Sequence, residues 1–348
     1  MDDVALCRAY DVGLFDLDGV IYRGDEPVPY ASEAVAAARE AGMQIAFVTN
    51  NASRTPQQVA SQIQAVGVAA DASEVITSAQ VAADVLGARL PAQSRVLVVG
   101  ADGLREAVSE RGLVVVDSAG DEPAAVVQGH SPDTGWRQLA EAVAAIRGGA
   151  LWVASNRDST LPTERGLMPG NGAFVNVVAG VLGREPDVVA GKPDRTMHEA
   201  SVQRTGARKP LVIGDRLDTD IEGATNAGTA SLLVLTGVST PPELYAAPPA
   251  LRPTYLSADL RGLLEPGRSF AEAGERRAVT GWRADEAGVI TAAPTTGGEV
   301  GGDGGDRGDT EDAELLRLAC ALRWNDEQVR AGDQAARDAM GLLGLPVG

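Results

Sequence analysis

The chain has 348 residues, of which 44% are hydrophobic and only 4% aromatic, and its formal net charge is −18. This length exceeds one compact core, so we expect at least two domains packed mainly by Ala, Val and Leu. The acidic charge disfavours nucleic acid and anionic membranes as partners, because both would repel the protein at long range. No apolar run approaches the roughly 20 residues of a membrane span, and the acidic N-terminal stretch is unlike a signal peptide. These features predict a cytoplasmic protein.

Short apolar strands alternate with Ala-rich helical patterns along the chain, which is the βαβ rhythm of a mostly parallel sheet. Because the strands are continuous apolar runs, we expect helices to cover both of their faces. The pattern therefore predicts an α/β fold. The predicted strands are residues 12–17, 44–50, 95–100, 124–129, 150–155, 210–215 and 230–237.

The first predicted strand leads into two aspartates, in the stretch VGLFDLDGVIYRG. In an extended chain, Asp16 and Asp18 would point to the same face and repel each other. Such an arrangement is costly in a partly dry place unless a cation or hydrogen-bond donors compensate it. It indicates either a metal site or a reaction that uses both carboxylates.

Two other predicted strands also end in polar residues. The second predicted strand ends in Thr49 and Asn50. The strand 210–215 ends in Asp215, and Asp218 and Asp220 follow shortly after. Because ligands bind at the carboxyl ends of parallel strands, these residues are expected to converge. Several carboxylates without histidine or cysteine form an oxygen-only environment, which suits Mg²⁺.

Lysine is scarce in this chain, which contains only Lys192 and Lys209. Lys192 lies in the stretch AGKPD, where its positive charge could bind a phosphoryl oxygen together with the hydroxyl of Thr49. A carboxylate in line with phosphorus can attack it to form an acyl phosphate, and a second carboxylate can move the proton.

The motifs DLDGV, TNN, GKP and GDRLDTD, in this order, resemble those of the haloacid dehalogenase (HAD) superfamily of phosphohydrolases, over residues 11 to about 265. The stretch SNRDSTLPTERGLMPGNGAF, followed by GREPDVVAGKP, is similar to the large-cap subgroup of the NagD and phosphoglycolate phosphatase type. The resemblance implies a doubly wound, Rossmann-like core of residues 1–83 and 189–265. It also implies an inserted α/β cap of residues 84–188, which would select the substrate.

The resemblance implies a role for each residue of the core motifs. Asp16 would be the nucleophile and a metal ligand. Asp18 would protonate the leaving alcohol, later activate water, and give its backbone carbonyl to the metal. Thr49 and Lys192 would bind the transferring phosphoryl group, with Asn50 nearby.

The resemblance also implies a Mg²⁺ cofactor with Asp215 as its remaining protein ligand. Asp220 would be a supporting carboxylate that orients the metal ligands. Asp218 competes for that supporting place, and the usual five-residue spacing of the family favours Asp220.

The cap is expected to supply substrate contacts. Ser131 stands where the family often has aspartate, which weakens any inference about the substrate. Trp136 is a candidate for a position near the mouth of the core, but because it opens an amphipathic helical pattern, a place in the hydrophobic core is favoured. For His130, a hydrogen-bonded loop histidine is the equally weighted alternative. The predicted substrate-binding residues are Asn50, His130, Asn156, Arg157 and Asp158.

The resemblance stops near residue 265, and residues 266–348 are predicted to form a small appended α+β module. A hairpin is expected around the DEAG turn, followed by an acidic, glycine-rich loop at about 295–312. The stretches DAELLRLACALRW and EQVRAGDQAARDAMGLLGL are predicted to be amphipathic helices. Docking on the core, regulation and self-association all remain open for this module.

Two classes of function follow from the sequence. The first is a Mg²⁺-dependent phosphatase for a small phosphomonoester, with glycerol 3-phosphate favoured and phosphoglycolate, nucleotides and pyridoxal phosphate as alternatives. The second is a regulatory or binding protein that acts through its C-terminal module. The presence of both Asp16 and Asp18 favours the enzyme, because a noncatalytic relative has no need of both.

Overall fold

The computed structural model describes residues 4–163, 165–293 and 306–347. The chain divides into two compact units: unit 1 is Met1–Arg23, Pro27–Gln44 and Lys209–Gly348, and unit 2 is Gly24–Glu26 and Ile45–Arg208. The predicted cap lies within unit 2 and the predicted C-terminal module within unit 1, while the exact domain boundaries stay a prediction. In the part of the chain that the structure describes, every helix is too short or too polar to cross a membrane.

The predicted α/β fold is confirmed, and a strand occupies each of the seven predicted positions. The helices are α1 (Leu6–Ala9), α2 (Ala31–Glu40), α3 (Pro56–Ala65), α4 (Ser78–Arg89), α5 (Asp102–Glu110), α6 (Trp136–Arg147), α7 (Asn171–Leu182), α8 (Arg195–Thr205), α9 (Glu222–Ala227), α10 (Pro241–Tyr245), α11 (Phe270–Arg276), α12 (Asp306–Trp324) and α13 (Gln334–Leu342). The strands are β1 (Val12–Phe15), β2 (Tyr22–Arg23), β3 (Glu26–Pro27), β4 (Gln44–Thr49), β5 (Val75–Thr77), β6 (Arg95–Val99), β7 (Val114–Val116), β8 (Ala125–Gln128), β9 (Leu151–Ala154), β10 (Thr160–Thr163), β11 (Gly166–Pro169), β12 (Val188–Val189), β13 (Pro210–Gly214), β14 (Ala230–Val234), β15 (Tyr255–Ser257), β16 (Ala278–Val279), β17 (Trp282–Ala284), β18 (Val289–Ala292) and β19 (Arg330–Ala331).

Four parallel strands run side by side in unit 1, in the order β15, β14, β13 and β1. All residues of β1 are buried, as are four of the five residues of β13 and of β14. Covering both faces of these strands explains why their sequences are continuous apolar runs rather than alternating ones. Because the strands are parallel, their carboxyl ends lie at one edge of the sheet.

Unit 2 contains a second parallel sheet, with strands in the order β12, β9, β8, β6 and β7. Its hydrophobic cluster includes Trp152 from β9, Ile146 from α6 and Val175 from α7. The stretch RVLVVGADGLREAV forms β6, a glycine turn and α5, which makes it part of this sheet. In the same unit, β4 pairs in parallel with β5, and β10 forms an antiparallel hairpin with β11.

The prediction that Trp136 lies in the core is wrong, because its side chain is 81% exposed. Trp136 is the first residue of α6, while Leu139, Val143 and Ile146 of the same helix pack against the hydrophobic cluster of unit 2. The apolar stripe therefore continues for one turn beyond the core that the helix covers.

The C-terminal module contains the sheet β16, β17, β18 and β19 and the helices α11 to α13. The predicted hairpin is present as antiparallel β17 and β18, joined through Asp285 to Gly288. The predicted glycine-rich loop lies partly outside the described residues, but its stretch 306–312 belongs to α12, so that part of the prediction is wrong. Acidic side chains are favoured in the first turns of a helix, which explains how this acidic stretch can be helical.

The C-terminal module shares one hydrophobic cluster with the rest of unit 1. Leu315, Leu316 and Leu318 of α12 belong to the same buried cluster as Leu217, which follows β13, and Leu233, which lies in β14. Cys320 of α12 is also buried in this cluster as a free thiol. The module therefore packs against the rest of unit 1 through this shared hydrophobic cluster.

Truncating Leu318, which is fully buried, should lower the free energy of unfolding by about 2–5 kcal/mol, because Leu318→Ala leaves a cavity in the shared cluster. Urea denaturation followed by circular dichroism measures this change. Leu342→Ala is the matched control, since Leu342 is 83% exposed and its loss should cost within about 0.5 kcal/mol. Equal effects of the two variants would contradict the shared core.

Candidate active site

Asp16 and Asp215 lie at the same edge of the unit 1 sheet. Each aspartate directly follows a strand, Asp16 after β1 and Asp215 after β13, and these strands pair in parallel with Phe15 opposite Ile213. The backbone N–H of Asp16 donates to the carbonyl of Ile213 at 2.8 Å, so the pairing extends to the first aspartate. The predicted convergence of these two strand ends is therefore present within unit 1.

Three carboxylates form a cluster at this edge. One oxygen each of Asp16, Asp215 and Asp220 lies within 4.8 Å of the others, with Asp215 and Asp220 buried and Asp16 half-buried. Like charges this close in a dry place repel each other, and a bound cation would offset this repulsion. An oxygen-only donor set of this kind fits Mg²⁺.

The structure separates the two aspartates between which the sequence left a choice. Asp218 is 63% exposed and pairs with Arg216 at 2.8 Å, and this hydrogen bond holds the pKa of Asp218 below its usual value. Asp220 is buried, and its Oδ2 accepts the backbone N–H of Arg216 at 3.1 Å. Both residues lie on the π-helical segment Leu217–Ile221. Asp220, and not Asp218, belongs to the carboxylate cluster.

Two glycines allow the carboxylates to pack against the backbone. A Cβ atom at Gly214 would overlap the side chain of Asp220, and one at Gly237 would overlap the carboxylate of Asp215. Next to Gly237, the backbone N–H of Val238 donates to Oδ2 of Asp215 at 2.6 Å. The sequence analysis missed Gly237 and Val238. Both follow β14, whose carboxyl end lies at the same edge of the sheet, so this position could have identified them.

Asp18 is not one of the three carboxylates that form the cluster among the described residues. β1 ends at Phe15, and the side chain of Asp18 is exposed. The chain turns directly after it, where Gly19 donates to the carbonyl of Tyr22 at 2.8 Å. The roles of Asp18 as proton donor and as backbone metal ligand stay a prediction.

Thr49, Asn50 and Lys192 come together within unit 2. The Nζ atom of Lys192 donates to the carbonyl of Val48 at 3.2 Å, which places the ammonium group beside the end of β4. Thr49 is the last residue of that strand and is buried. Asn50 then bonds the backbone of Lys192 twice, through Oδ1 at 2.8 Å and Nδ2 at 3.0 Å.

The side chain of Asn50 also connects Lys192 to the predicted cap. Its Nδ2 donates to Oδ2 of Asp158 at 3.0 Å, and its backbone carbonyl accepts from Nδ2 of Asn156 at 2.7 Å. Asn156 in turn accepts the backbone N–H of Asp158 at 3.1 Å. We refer to Asn50, Asn156 and Asp158 as the asparagine cluster.

Two buried residues support the asparagine cluster and were missed in the sequence. Ser78, at the start of α4, donates to the carbonyl of Asn50 at 2.6 Å. Asn171, at the start of α7, donates to the carbonyl of Asn156 at 2.7 Å. No local pattern marks either residue, because each reaches the cluster only through the folded chain.

The other two predicted substrate residues lie outside the asparagine cluster. The ring of His130 lies 6.4 Å from that of Phe174, and burial lowers the pKa of His130. Arg157 pairs with Glu185 at 2.8 Å and donates to Asn176 at 3.3 Å. Substrate contact by His130 and Arg157 therefore stays a prediction.

Comparison with known proteins places these motifs in families. Residues 13–114 match the haloacid dehalogenase-like hydrolase family, and residues 189–263 match a second HAD-hydrolase-like family. The chain is 41% identical over 97% of its length to D-glycerol 3-phosphate phosphatase of Mycobacterium tuberculosis, covering 94% of that protein. It is also 36% identical over 67% of its length to a 5'-nucleotidase of Bacillus subtilis, covering 90% of that protein.

Solved structures agree with these sequence matches. The crystal structure of glycerol phosphate phosphatase from Mycobacterium tuberculosis in complex with magnesium superposes with a TM-score of 0.86 at 40% identity, covering 99% of this chain and 100% of that one. A p-nitrophenyl phosphatase from Archaeoglobus fulgidus gives a TM-score of 0.69 at 29% identity, covering 73% of this chain and 98% of that one. The chain therefore belongs to the haloacid dehalogenase-like hydrolases.

Proposed function

We propose that this protein is a Mg²⁺-dependent phosphatase that hydrolyses glycerol 3-phosphate to glycerol and phosphate. The observation that carries the proposal is the cluster of Asp16, Asp215 and Asp220 at the carboxyl ends of parallel strands. The substrate preference rests on the 41% identity, over nearly the whole chain, to a D-glycerol 3-phosphate phosphatase.

In the first half of the proposed reaction, a carboxylate oxygen of Asp16 attacks the phosphorus of the ester. The bond between phosphorus and the ester oxygen breaks, and Asp18 gives its proton to the departing alkoxide. The products of this half are glycerol and an aspartyl phosphate on Asp16. One difficult displacement is thereby divided into two easier ones.

In the second half, the carboxylate of Asp18 takes a proton from water, whose oxygen attacks the phosphorus. The acyl phosphate bond breaks, which releases inorganic phosphate and restores the carboxylate of Asp16. Bound Mg²⁺ supplies positive charge that offsets the aspartates and the phosphoryl oxygens. Asp16 and Asp215 would hold it with the backbone carbonyl of Asp18, and Asp220 would orient them.

Thr49 and Lys192 are proposed to bind the oxygens of the transferring phosphoryl group. The hydrogen bonds within unit 2 support this role, because they fix the backbone of Lys192 on Asn50 and its ammonium group on Val48. The Oδ1 and Nδ2 atoms of Asn50 both bond the backbone of Lys192, and Nδ2 also bonds Asp158. We therefore propose that Asn50 positions Lys192. Fixing a cation before substrate arrives lowers the cost of ordering it in the transition state.

Other substrates and roles remain alternatives to be tested. The similarity to a 5'-nucleotidase supports a nucleotide as the second candidate substrate, and phosphoglycolate and pyridoxal phosphate follow. A noncatalytic protein acting through its C-terminal module is the competing class. We further propose a cytoplasmic location, no nucleic acid partner and the capacity to self-associate.

Replacing the nucleophile tests the reaction. Asp16→Asn should lower kcat by at least about 10³-fold, because an amide cannot form the acyl phosphate. Release of phosphate from glycerol 3-phosphate, phosphoglycolate, a nucleoside monophosphate and pyridoxal phosphate is the measurement, with circular dichroism to verify folding. Turnover by Asp16→Asn at the native rate would rule out the covalent route. A higher kcat/KM of the native protein for another ester would contradict the assignment of glycerol 3-phosphate as the substrate.

Metal removal tests the carboxylate cluster. EDTA should abolish activity and excess Mg²⁺ should restore it, and Asp220→Asn should raise the Mg²⁺ concentration for half-maximal activity by roughly 10- to 100-fold. Asp218→Asn is the matched control, since Asp218 pairs with Arg216 outside the cluster, so a much smaller shift is expected. Activity that persists after chelation, or equal shifts in both variants, would refute this assignment.

Removing the Asn50 side chain tests the positioning of Lys192. Asn50→Ala should raise KM and the inhibition constant of inorganic phosphate together by roughly 10-fold, because Lys192 loses two hydrogen bonds that fix its backbone. Steady-state kinetics supplies both values, with Gln57→Ala on the exposed side of α3 as the control. A fall in thermal stability with unchanged KM and phosphate inhibition would mean that Asn50 is merely structural.

A further inference from the structure

An arginine-lined cavity of about 520 Å³ lies in the C-terminal module, at a place to which nothing above assigns a role. It is open to solvent and is lined by residues of α11, of β16 and of their flanks, together with Arg317 of α12. Its charged lining residues are Arg268, Arg276, Arg317 and Glu272. Three guanidinium groups thus face one carboxylate, in a protein whose overall net charge is −18.

The single carboxylate of this lining is engaged at the start of α11. Glu272 accepts the backbone N–H of Ser269 at 3.0 Å and its hydroxyl at 3.2 Å, in a capping box. The backbone hydrogen bond lowers the pKa of Glu272, so it stays ionised but is committed to the cap. It offsets only part of the positive charge around the cavity.

Arg317 is an unusual member of the lining, because its side chain is only 4% exposed. Its Nη1 donates to the carbonyl of Arg268 at 2.9 Å, and its Nη2 bonds Glu314. Its Nε is buried and has no hydrogen-bond partner in the described ranges. A buried cation with an unused donor is costly unless another group compensates it.

The acidic neighbour of Arg317 is shared with a second arginine. Glu314 lies 3.8 Å from Arg268 as well as beside Arg317, so one carboxylate serves two guanidinium groups. A smaller cavity of about 210 Å³ also borders Arg268 and Arg317, and there Asp259 is already bound by Arg261 at 2.6 Å. Counted over both linings, four arginines meet four carboxylates. The excess of positive charge is therefore confined to the larger cavity, whose three arginines meet only Glu272.

We propose that Arg268, Arg276 and Arg317 form a binding site for a small oxyanion, a carboxylate or a phosphate, separate from the proposed catalytic residues. Guanidinium groups bind both kinds of anion through paired, charge-assisted hydrogen bonds. The ligand would offset the positive charge of the larger cavity and connect α12 to α11. The site gives the appended module a role as a receptor for an anionic metabolite.

Calorimetric titration of the full-length protein with malonate and, separately, with inorganic phosphate tests this site. We expect saturable binding of at least one anion. Arg276→Gln should lower the affinity roughly 10-fold or more, because it removes a charge-assisted hydrogen bond between the guanidinium group and the anion. Arg317→Met should abolish the binding. Arg276 is exposed, so its replacement keeps the test valid even where Arg317→Met fails to fold. Arg337→Gln, at an exposed position of α13, is the control and should bind as the native chain does.

Phosphate is also a product of the proposed reaction, so its titration is repeated in Asp16→Asn and without Mg²⁺. Binding that depends on Arg276 but survives both changes supports the arginine site. Binding that is indifferent to Arg276 and Arg317, or no binding of either anion at millimolar concentration, overturns it. The outcome is independent of turnover, so a failure of the proposed phosphatase activity would leave this result readable.

Discussion

The mutual repulsion of three carboxylates constrains the architecture of unit 1. Asp16, Asp215 and Asp220 approach within 4.8 Å, and two of them are buried, so a cation bound among them would offset their repulsion. The backbone makes room for this cluster, because Gly214 and Gly237 lack the Cβ atoms that would displace it. The N–H of Val238 adds a donor to Asp215. The strand ends are therefore shaped around charge rather than around apolar packing.

The same principle applies in unit 2, where hydrogen bonds hold a cation in place. Lys192 carries one of only two lysine side chains in the protein, and its backbone is fixed by Asn50. Asn156 and Asp158 extend this arrangement into the predicted cap. A polar network that satisfies its members in this way specifies one conformation, whereas a loosely held lysine would sample many. Residues of the predicted cap are thus hydrogen-bonded to Asn50, the residue that fixes the backbone of Lys192.

The C-terminal module is part of the folded unit rather than a tethered appendage. α12 contributes Leu315, Leu316 and Leu318 to the cluster that also contains Leu217 and Ile221. These last two residues flank the turn that carries Asp220. Because protein interiors are close-packed, a shift of α12 would change the packing of side chains around that turn.

The sequence by itself determined seven strands, the α/β class and the convergence of Asp16 and Asp215. Apolar runs are a local signal of buried strands, and the carboxyl ends of parallel strands always meet at one edge of a sheet. It also identified Lys192 by its rarity. Only the tertiary structure decided between Asp218 and Asp220, since a π-helical turn directs one inward and leaves the other beside Arg216. It likewise exposed Trp136 and brought Ser78 and Asn171 to the asparagine cluster. Such choices depend on which elements pack together, and a residue's neighbours in the chain do not contain that information.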